Sequence, residues 1–335
     1  MQRLVILAPN WLGDAVMALP AIADVRRASP GATITVAARP AIAPLFQLVP
    51  EVNDTIVLPG AAAIGDVANW RLLGAELADR QFDTALLLPN SVHSALVALR
   101  AGIPERWGYR AGCRGGLLTR AVRRTRGLHQ VEYYQQLVHA LGFPNGPIEP
   151  RVTVPDEARD RAARLLADGG WDGRVPLVAL APGAAYGGAK RWPPAYFAEL
   201  ADSLALDGVR SVMIGGAADA ATGEEVLDSL ERRDTIIDLI GRTDLPALAG
   251  VVACSRGLVT NDSGAMHLAA AAGAGVTAVF GPTDDSATRP IGDAHVVLVH
   301  PVWCRPCMLR ECPLDHRCMR GIRVAAVLDA ARRTL

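Results

Sequence analysis

The stretch LVILAPNWLGDAVMALPAIADVRRASPGATITVAAR, residues 4–39, decides the fold. LVILAPN is an apolar run of strand length that ends in Pro-Asn, WLGDAVMALPAIADVRRA carries apolar residues at helical spacing, and ATITVAAR reads as a second strand. A strand, a helix and a strand in that order predict a parallel sheet with a right-handed crossover. Outward from there the alternation repeats, through DTIVLP (54–59), the helical NWRLLGAELADR (69–80), FDTALLLPN (82–90) and the helical SVHSALVALRAG (91–102).

Near residue 150 the rhythm resets. PRVTVPDEARDRAARLLADGGWDGRVP (150–176) gives a strand, a helix and a Gly/Pro-rich linker, and PLVALAPGAAYGGAKRWPP (176–194) opens the second half as the first half opens, with a strand that ends in Ala-Pro. VRSVMIGG, a helix through EEVLDSL, TIIDLIG, LPALAGVVAC, GLVTND, GAMHLAAAAG and VTAVFG then alternate strand and helix again. An α/β chain of two Rossmann-like domains is therefore expected, at residues 1–168 and 175–320. Two such domains facing each other across a cleft would place their ligands at the carboxyl ends of the strands. The closing segment, 321–335, is expected to be a helix able to return to the first domain.

Composition narrows the function. The 335 residues are half hydrophobic with few aromatics, which suits helices packed closely on parallel strands. A formal net charge of zero speaks against nucleic-acid binding through bulk electrostatics. No apolar run reaches the roughly 18–20 residues that cross a bilayer, and the start reads into a strand rather than a signal peptide, so a cytosolic protein is expected. A dinucleotide fingerprint is missing, since no G-x-G-x-x-G follows the first strand and the second strand ends at Arg39; a Walker-type phosphate loop is missing too.

Three loops at strand ends carry candidate chemistry. Gly13 and Asp14 follow the first strand at the start of a helix, where Asp14 is either an N-terminal cap or a general base facing a ligand. Of 34 basic residues only one, Lys190, is a lysine, and it lies in the Gly-rich loop after the strand that opens the second half. A backbone that can approach a phosphate and a compact ammonium for a departing diphosphate fit that loop; an ordinary solvated lysine is the plainer alternative. In GLVTNDSGAMHLAAAAG (257–273) a strand ends at Thr260-Asn261, and Asp262-Ser263-Gly264 open an Ala-rich helix whose free N–H groups form an anion site. Helix capping by Asp262 or Ser263, and a buried structural role for His267, are the competing readings.

NWLGDAVMALPA (10–21), PGAAYGGAKRWPP (182–194), IGGAADAATGEE (214–225), GRTDL (241–245) and TNDSGAMHLAAAAG (260–273), in this order and spacing, resemble the bacterial lipopolysaccharide heptosyltransferases of glycosyltransferase family 9 over nearly the whole chain. The resemblance implies a GT-B fold and an inverting, metal-independent transfer from ADP-L-glycero-D-manno-heptose to a lipid A-linked inner-core acceptor. It makes Asp14 the base and Lys190 a contact to the donor's phosphate and sugar. Asp262 would hold the donor sugar, Ser263, Gly264 and His267 would surround the diphosphate, and Gly13 would complete the donor site. Asp219 would meet the ribose and Gly241-Arg242-Thr243 the adenine, while Tyr186 stands where some relatives carry Thr. An epimerase, a hydrolase or a non-catalytic binder of nucleotide sugars stays open from the sequence.

Arg106, Arg110 and Arg114 begin an arginine run that ends at Arg126. It is either a solvated face or a cationic rim for a phosphorylated acceptor at the inner leaflet, reached by peripheral contact with the membrane. Cys304, Cys307, Cys312 and Cys318 crowd into WCRPCMLRECPLDHRCM. In a cytosolic protein this spacing suggests a structural zinc or iron–sulfur site, and a reduced structural loop is the alternative. No cofactor is expected for catalysis.

Overall fold

The computed structural model describes residues 1–58 and 74–334. The chain divides into two compact units, Met1–Arg151 and Val152–Leu335.

In the first unit six parallel strands, β1 (Arg3–Leu7), β2 (Thr33–Ala38), β3 (Asp54–Val57), β4 (Thr84–Leu87), β5 (Glu105–Arg110) and β6 (Arg120–Arg123), pair in the order β3-β2-β1-β4-β5-β6. β1 is flanked by β2 and β4, with Leu7 opposite both Ala37 and Leu87. Four of its five residues are buried, and so is all of β4, because helices cover both faces of a parallel sheet. The helix expected over residues 11–28 is two helices, α1 (Leu12–Met17) and α2 (Leu19–Ala28). Pro20 falls in the first turn of α2, where its missing N–H suits a helix start and not a helix interior. α3 (Val92–Arg100) and α4 (Gln130–Ala140) complete the labelled helices of this unit. Of the helix expected over 69–80, residues 69–73 lie outside the described residues, and 74–79 are helical. Buried Asp24 on α2 accepts hydrogen bonds from Gln135 Nε2 (3.0 Å) and Gly146 N (3.1 Å) and pairs with Arg27, so this carboxylate ties α2 to α4 and the loop beyond it.

The second unit repeats the plan. Its strands β7 (Leu177–Ala181), β8 (Arg210–Met213), β9 (Ile236–Asp238), β10 (Gly257–Asn261), β11 (Gly275–Phe280) and β12 (His295–Val299) pair in parallel in the order β12-β11-β10-β7-β8-β9. Counted from each unit's first strand this is one order read from opposite edges, the dinucleotide-fold order in which connections reverse beside the first strand. The switch points therefore lie between β1 and β4 and between β7 and β10.

Two helices mark the limits of this unit. α5 (Asp156–Asp168) belongs to the second unit instead of closing the first, because its small-residue stripe packs on α8 (Leu245–Cys254). A Cβ added at Gly250 of α8 would stand 2.4 Å from the Ala158 carbonyl oxygen and 2.8 Å from the Ala162 Cβ, so the two helices meet nearly backbone to backbone. The last helix, α12 (Val324–Arg332), packs against α6 (Pro194–Leu206), β10 and β11. Its Val324, Val327 and Ala331 lie in the second unit's core with Trp192, Phe197 and Met319, so its apolar face is buried within that unit.

Candidate active site

At the second unit's switch point the loop after β7 carries Lys190 and the turn after β10 carries Asp262. Trp192 fixes the first of these: it is fully buried, with its ring edge-on to Phe197 (centroids 5.0 Å apart) and its Nε1 donating to the Ile322 carbonyl (2.9 Å). Buried Asn261, the last residue of β10, ties the loop at both ends. Its Oδ1 accepts from Trp192 N (2.9 Å), and its Nδ2 donates to the carbonyls of Pro182 (2.7 Å) and Gly183 (3.3 Å). The lysine ammonium emerging from this frame stands 2.5 Å from Asp262 Oδ2, with side-chain exposures of 13% and 7%. Thr283 Oγ1 donates to the same carboxylate oxygen (2.6 Å). Both contacts fall on Oδ2, which leaves Oδ1 for a ligand hydroxyl.

The helix that follows, α9 (Gly264–Ala271), has Ser263 as its N-cap residue, and no side chain caps it. Ser263 Oγ instead lies 3.1 Å from Thr260 Oγ1. The capping alternative thus fails for Asp262 and Ser263 alike, and the first-turn N–H groups stay available to an anion. His267, in that first turn, is buried.

The remaining donor candidates sit on neighbouring loops of the same sheet end. Asp219 Oδ2 accepts from Gly216 N (3.0 Å), and its carboxyl group overlies Gly183, where an added Cβ would meet the carboxyl carbon at 2.1 Å. This explains the glycine two residues beyond the end of β7. Gly241, at φ +72°, donates its N–H to the Gly215 carbonyl (2.9 Å) and brings the Arg242–Thr243 turn beside the loop of Asp219. Tyr186 packs its ring under the Lys190 ammonium (4.8 Å to the centroid).

In the first unit, Asp14 lies half-buried in the first turn of α1, whose N-cap is Trp11. Its charge suits that helix end, and it is not the capping residue itself. The buried Tyr134 phenol on α4 is pushed well above the ordinary range, first by burial and then by the Asp14 carboxylate, which places the two groups near one another. Beyond the adjacent strand β4, Asn90 Nδ2 donates to Tyr133 Oη (2.8 Å), and Tyr133 stacks on Tyr109 with centroids 4.4 Å apart.

Arg114 is fully buried. Its Nε donates to the Tyr109 carbonyl (2.9 Å) and its Nη1 to the Pro89 and Ser91 carbonyls and to Ser94 Oγ (3.2 Å), so it braces the loop after β4 from inside. Burial lowers this guanidinium to about 10, and it remains cationic at neutral pH. Half-buried Arg106 donates through Nε to the Leu117 carbonyl (2.8 Å) and through Nη1 to the carbonyls of Ile103 (2.6 Å) and Pro104 (3.1 Å). Arg110, Arg123, Arg124 and Arg126 stay exposed.

Among the described residues no three His, Cys, Asp or Glu side chains are arranged to hold a metal ion. The thiols are nonetheless neighbours: burial raises Cys318, and nearby Cys312, Cys304 and Cys307 push it in the same direction. Asn261, Trp192, Thr283 and the internal role of Arg114 were not singled out from the sequence. Only the Asn before Asp262 and the Trp after Lys190 offered a signal, through their place at strand and loop ends.

A Rossmann-like unit holding a cation, a carboxylate and an uncapped helix start at its switch point, joined to a second unit of the same strand order, defines a nucleotide-sugar glycosyltransferase of the GT-B class. The comparisons agree. The sequence pattern of the family described as "Glycosyltransferase family 9 (heptosyltransferase)" matches residues 70–317, and the chain belongs to that family. It is 33% identical over 301 residues to lipopolysaccharide heptosyltransferase 2 of Salmonella typhimurium, covering 87% of this chain and 86% of that one. The solved structure of Escherichia coli ADP-heptose LPS heptosyltransferase II superposes with a TM-score of 0.85 at 31% identity, covering 100% and 98% of the two chains. A family 9 glycosyltransferase from Veillonella parvula shares the fold with a TM-score of 0.88 at 21% identity, covering 99% and 97%.

Proposed function

We propose that the chain transfers L-glycero-D-manno-heptose from ADP-heptose, with inversion, to a heptose of the lipopolysaccharide inner core. The observation that carries the donor side is the Lys190–Asp262 pair beside the uncapped start of α9; the identity to heptosyltransferase 2 carries the choice of sugar and acceptor. In the proposed step Asp14 takes the proton of the acceptor hydroxyl, whose oxygen bonds to the anomeric carbon as the bond from that carbon to the diphosphate breaks. The electron pair of the broken bond leaves with ADP. Lys190 and the N–H groups of Ser263 and Gly264 take up the charge that collects on the diphosphate. Asp262, oriented by Thr283, receives a sugar hydroxyl on Oδ1, while Asp219 meets the ribose and the Gly241–Thr243 turn meets the base. Tyr186, Gly13 and His267 complete the donor surroundings.

No step in this scheme uses a metal or a cofactor, and a structural metal held by Cys304, Cys307, Cys312 and Cys318 would lie outside it. The exposed arginines Arg110, Arg123, Arg124 and Arg126 are proposed as the rim that attracts the phosphorylated, lipid-linked acceptor, from the cytoplasmic side and by peripheral contact only. No helix among the described residues is long and apolar enough to cross a membrane. Replacing Asp14 by Asn tests the assignment of the base. Heptose transfer should fall by roughly 10²–10⁴-fold while ADP affinity is retained; a variant with a near-normal rate would remove Asp14 from the mechanism.

A further inference from the structure

The segment between β12 and α11 (Arg317–Arg320) is laid over the Lys190 loop by main-chain contacts. The Arg310 carbonyl accepts from Ala189 N (2.9 Å), and Tyr186 Oη donates to the Met308 carbonyl (2.8 Å). Glu311 Oε1 accepts from Gly188 N (3.1 Å). Gly187, at φ +154°, is pressed so closely that an added Cβ would stand 2.3 Å from the Arg310 carbonyl oxygen. On the other side of the site, Arg305 of the same segment donates to the Gly281 carbonyl (2.7 Å), the Thr283 carbonyl (3.1 Å) and Asp285 (2.7 Å). One segment thus holds both the Lys190 loop and the Thr283 that orients Asp262.

This packing sets two cations on one aromatic ring. Tyr186 has the Lys190 ammonium 4.8 Å and the Arg310 guanidinium 5.3 Å from its centroid. Lys190 is answered by Asp262, and Glu311 by the Gly188 N–H, whereas Arg310 pairs with no carboxylate among the described residues. Its side chain is exposed although its carbonyl is fixed. A guanidinium held by its backbone beside a diphosphate-binding lysine, with donors still free, is arranged to receive phosphate oxygens in a forked contact.

We propose that Arg310 is a second cationic contact to the diphosphate of the donor, delivered to the Lys190 loop by the cysteine-bearing segment and steered by the Tyr186 ring. This rests on the donor reading of Lys190 given above. The test is calorimetric binding of ADP and adenosine to the full chain, the Arg310→Gln and Arg310→Lys variants, and Lys190→Met as the control. Arg310→Gln should weaken ADP about five- to tenfold and leave adenosine unchanged, Arg310→Lys should recover only part of that loss because an ammonium keeps the charge but cannot fork, and the loss should shrink at high salt. Unchanged ADP affinity in Arg310→Gln, with Lys190→Met weakened, overturns the role of Arg310 alone. Unchanged affinity in both overturns the donor site itself. Equal weakening of ADP and adenosine by Arg310→Gln would mean that the side chain only supports the loop, which also contradicts the proposal.

Discussion

The Lys190 ammonium and the Asp262 carboxylate meet at 2.5 Å on loops that follow adjacent parallel strands, β7 and β10, 72 residues apart in sequence. Their pairing at the switch point puts a cation and an acid side by side. The pair is nearly buried, so removing one partner leaves the other charged and poorly solvated, at a cost of about 3–5 kcal/mol.

Lys190→Met is therefore expected to lose both stability and activity, and a second variant separates the two. In Lys190→Met/Asp262→Asn the orphan charge is gone and the Thr283 hydrogen bond is kept, so urea unfolding should recover most of the lost stability. Heptose transfer should stay depressed by roughly 10²–10³-fold, the usual effect of removing one charge-stabilising donor. Recovery of activity together with stability would make the lysine structural.

Gly183→Ala is expected to disturb the nucleotide end of the site. The new methyl would overlap the Asp219 carboxyl group at 2.1–2.5 Å, and that group must swing away from Gly183. ADP affinity, measured by calorimetry, should drop several-fold with little change in melting temperature. Wild-type affinity would show that Asp219 is not needed where it stands.

Arg114→Met should destabilise the first unit. The carbonyls of Tyr109, Pro89 and Ser91 and the Ser94 hydroxyl all lose a charged donor in a buried setting. A loss of about 2–4 kcal/mol in urea unfolding is expected. Were Arg114 an acceptor contact instead, stability would hold and only the acceptor KM would rise.

Alkaline titration gives a further check. Burial raises the Tyr109 and Tyr134 phenols above their ordinary value near 10, with Tyr133 adding to the first and the Asp14 carboxylate to the second. A phenol raised in the folded state contributes stability that is complete below the unfolded value near 10 and is lost as the pH climbs above it. Tyrosinate absorbance from Tyr109 and Tyr134 should thus appear only together with unfolding above pH ~10. Their ionisation in a chain that is still folded would mean that the two rings are solvated.

The two-unit α/β plan was legible because parallel strands buried on both faces read as unbroken apolar runs, and the loops at their ends stood out by contrast. Gly13-Asp14, the Lys190 loop and Asp262-Ser263-Gly264 were found that way. What stayed hidden depended on contacts between distant segments. The Ala158–Ala162–Leu166 stripe of α5 marks a packed face without naming its partner, which the structure supplies in Gly250. Arg114 looked like its exposed neighbours, since nothing local reveals that its guanidinium turns inward to the Tyr109 carbonyl and the loop after β4. The cysteine spacing suggested a metal; it gave no sign that Arg305, Met308, Arg310 and Glu311 of the same segment hold the Lys190 loop and the turn of Thr283.

Mass analysis of the products formed from ADP-heptose and two defined acceptors, one ending in Kdo and one already bearing a heptose, tests the central claim most directly. The account predicts one heptose added to the heptose-bearing acceptor, one ADP released for each transfer, and no ADP released without acceptor. ADP release that ignores the acceptor, or addition to the Kdo-terminated lipid alone, would contradict it.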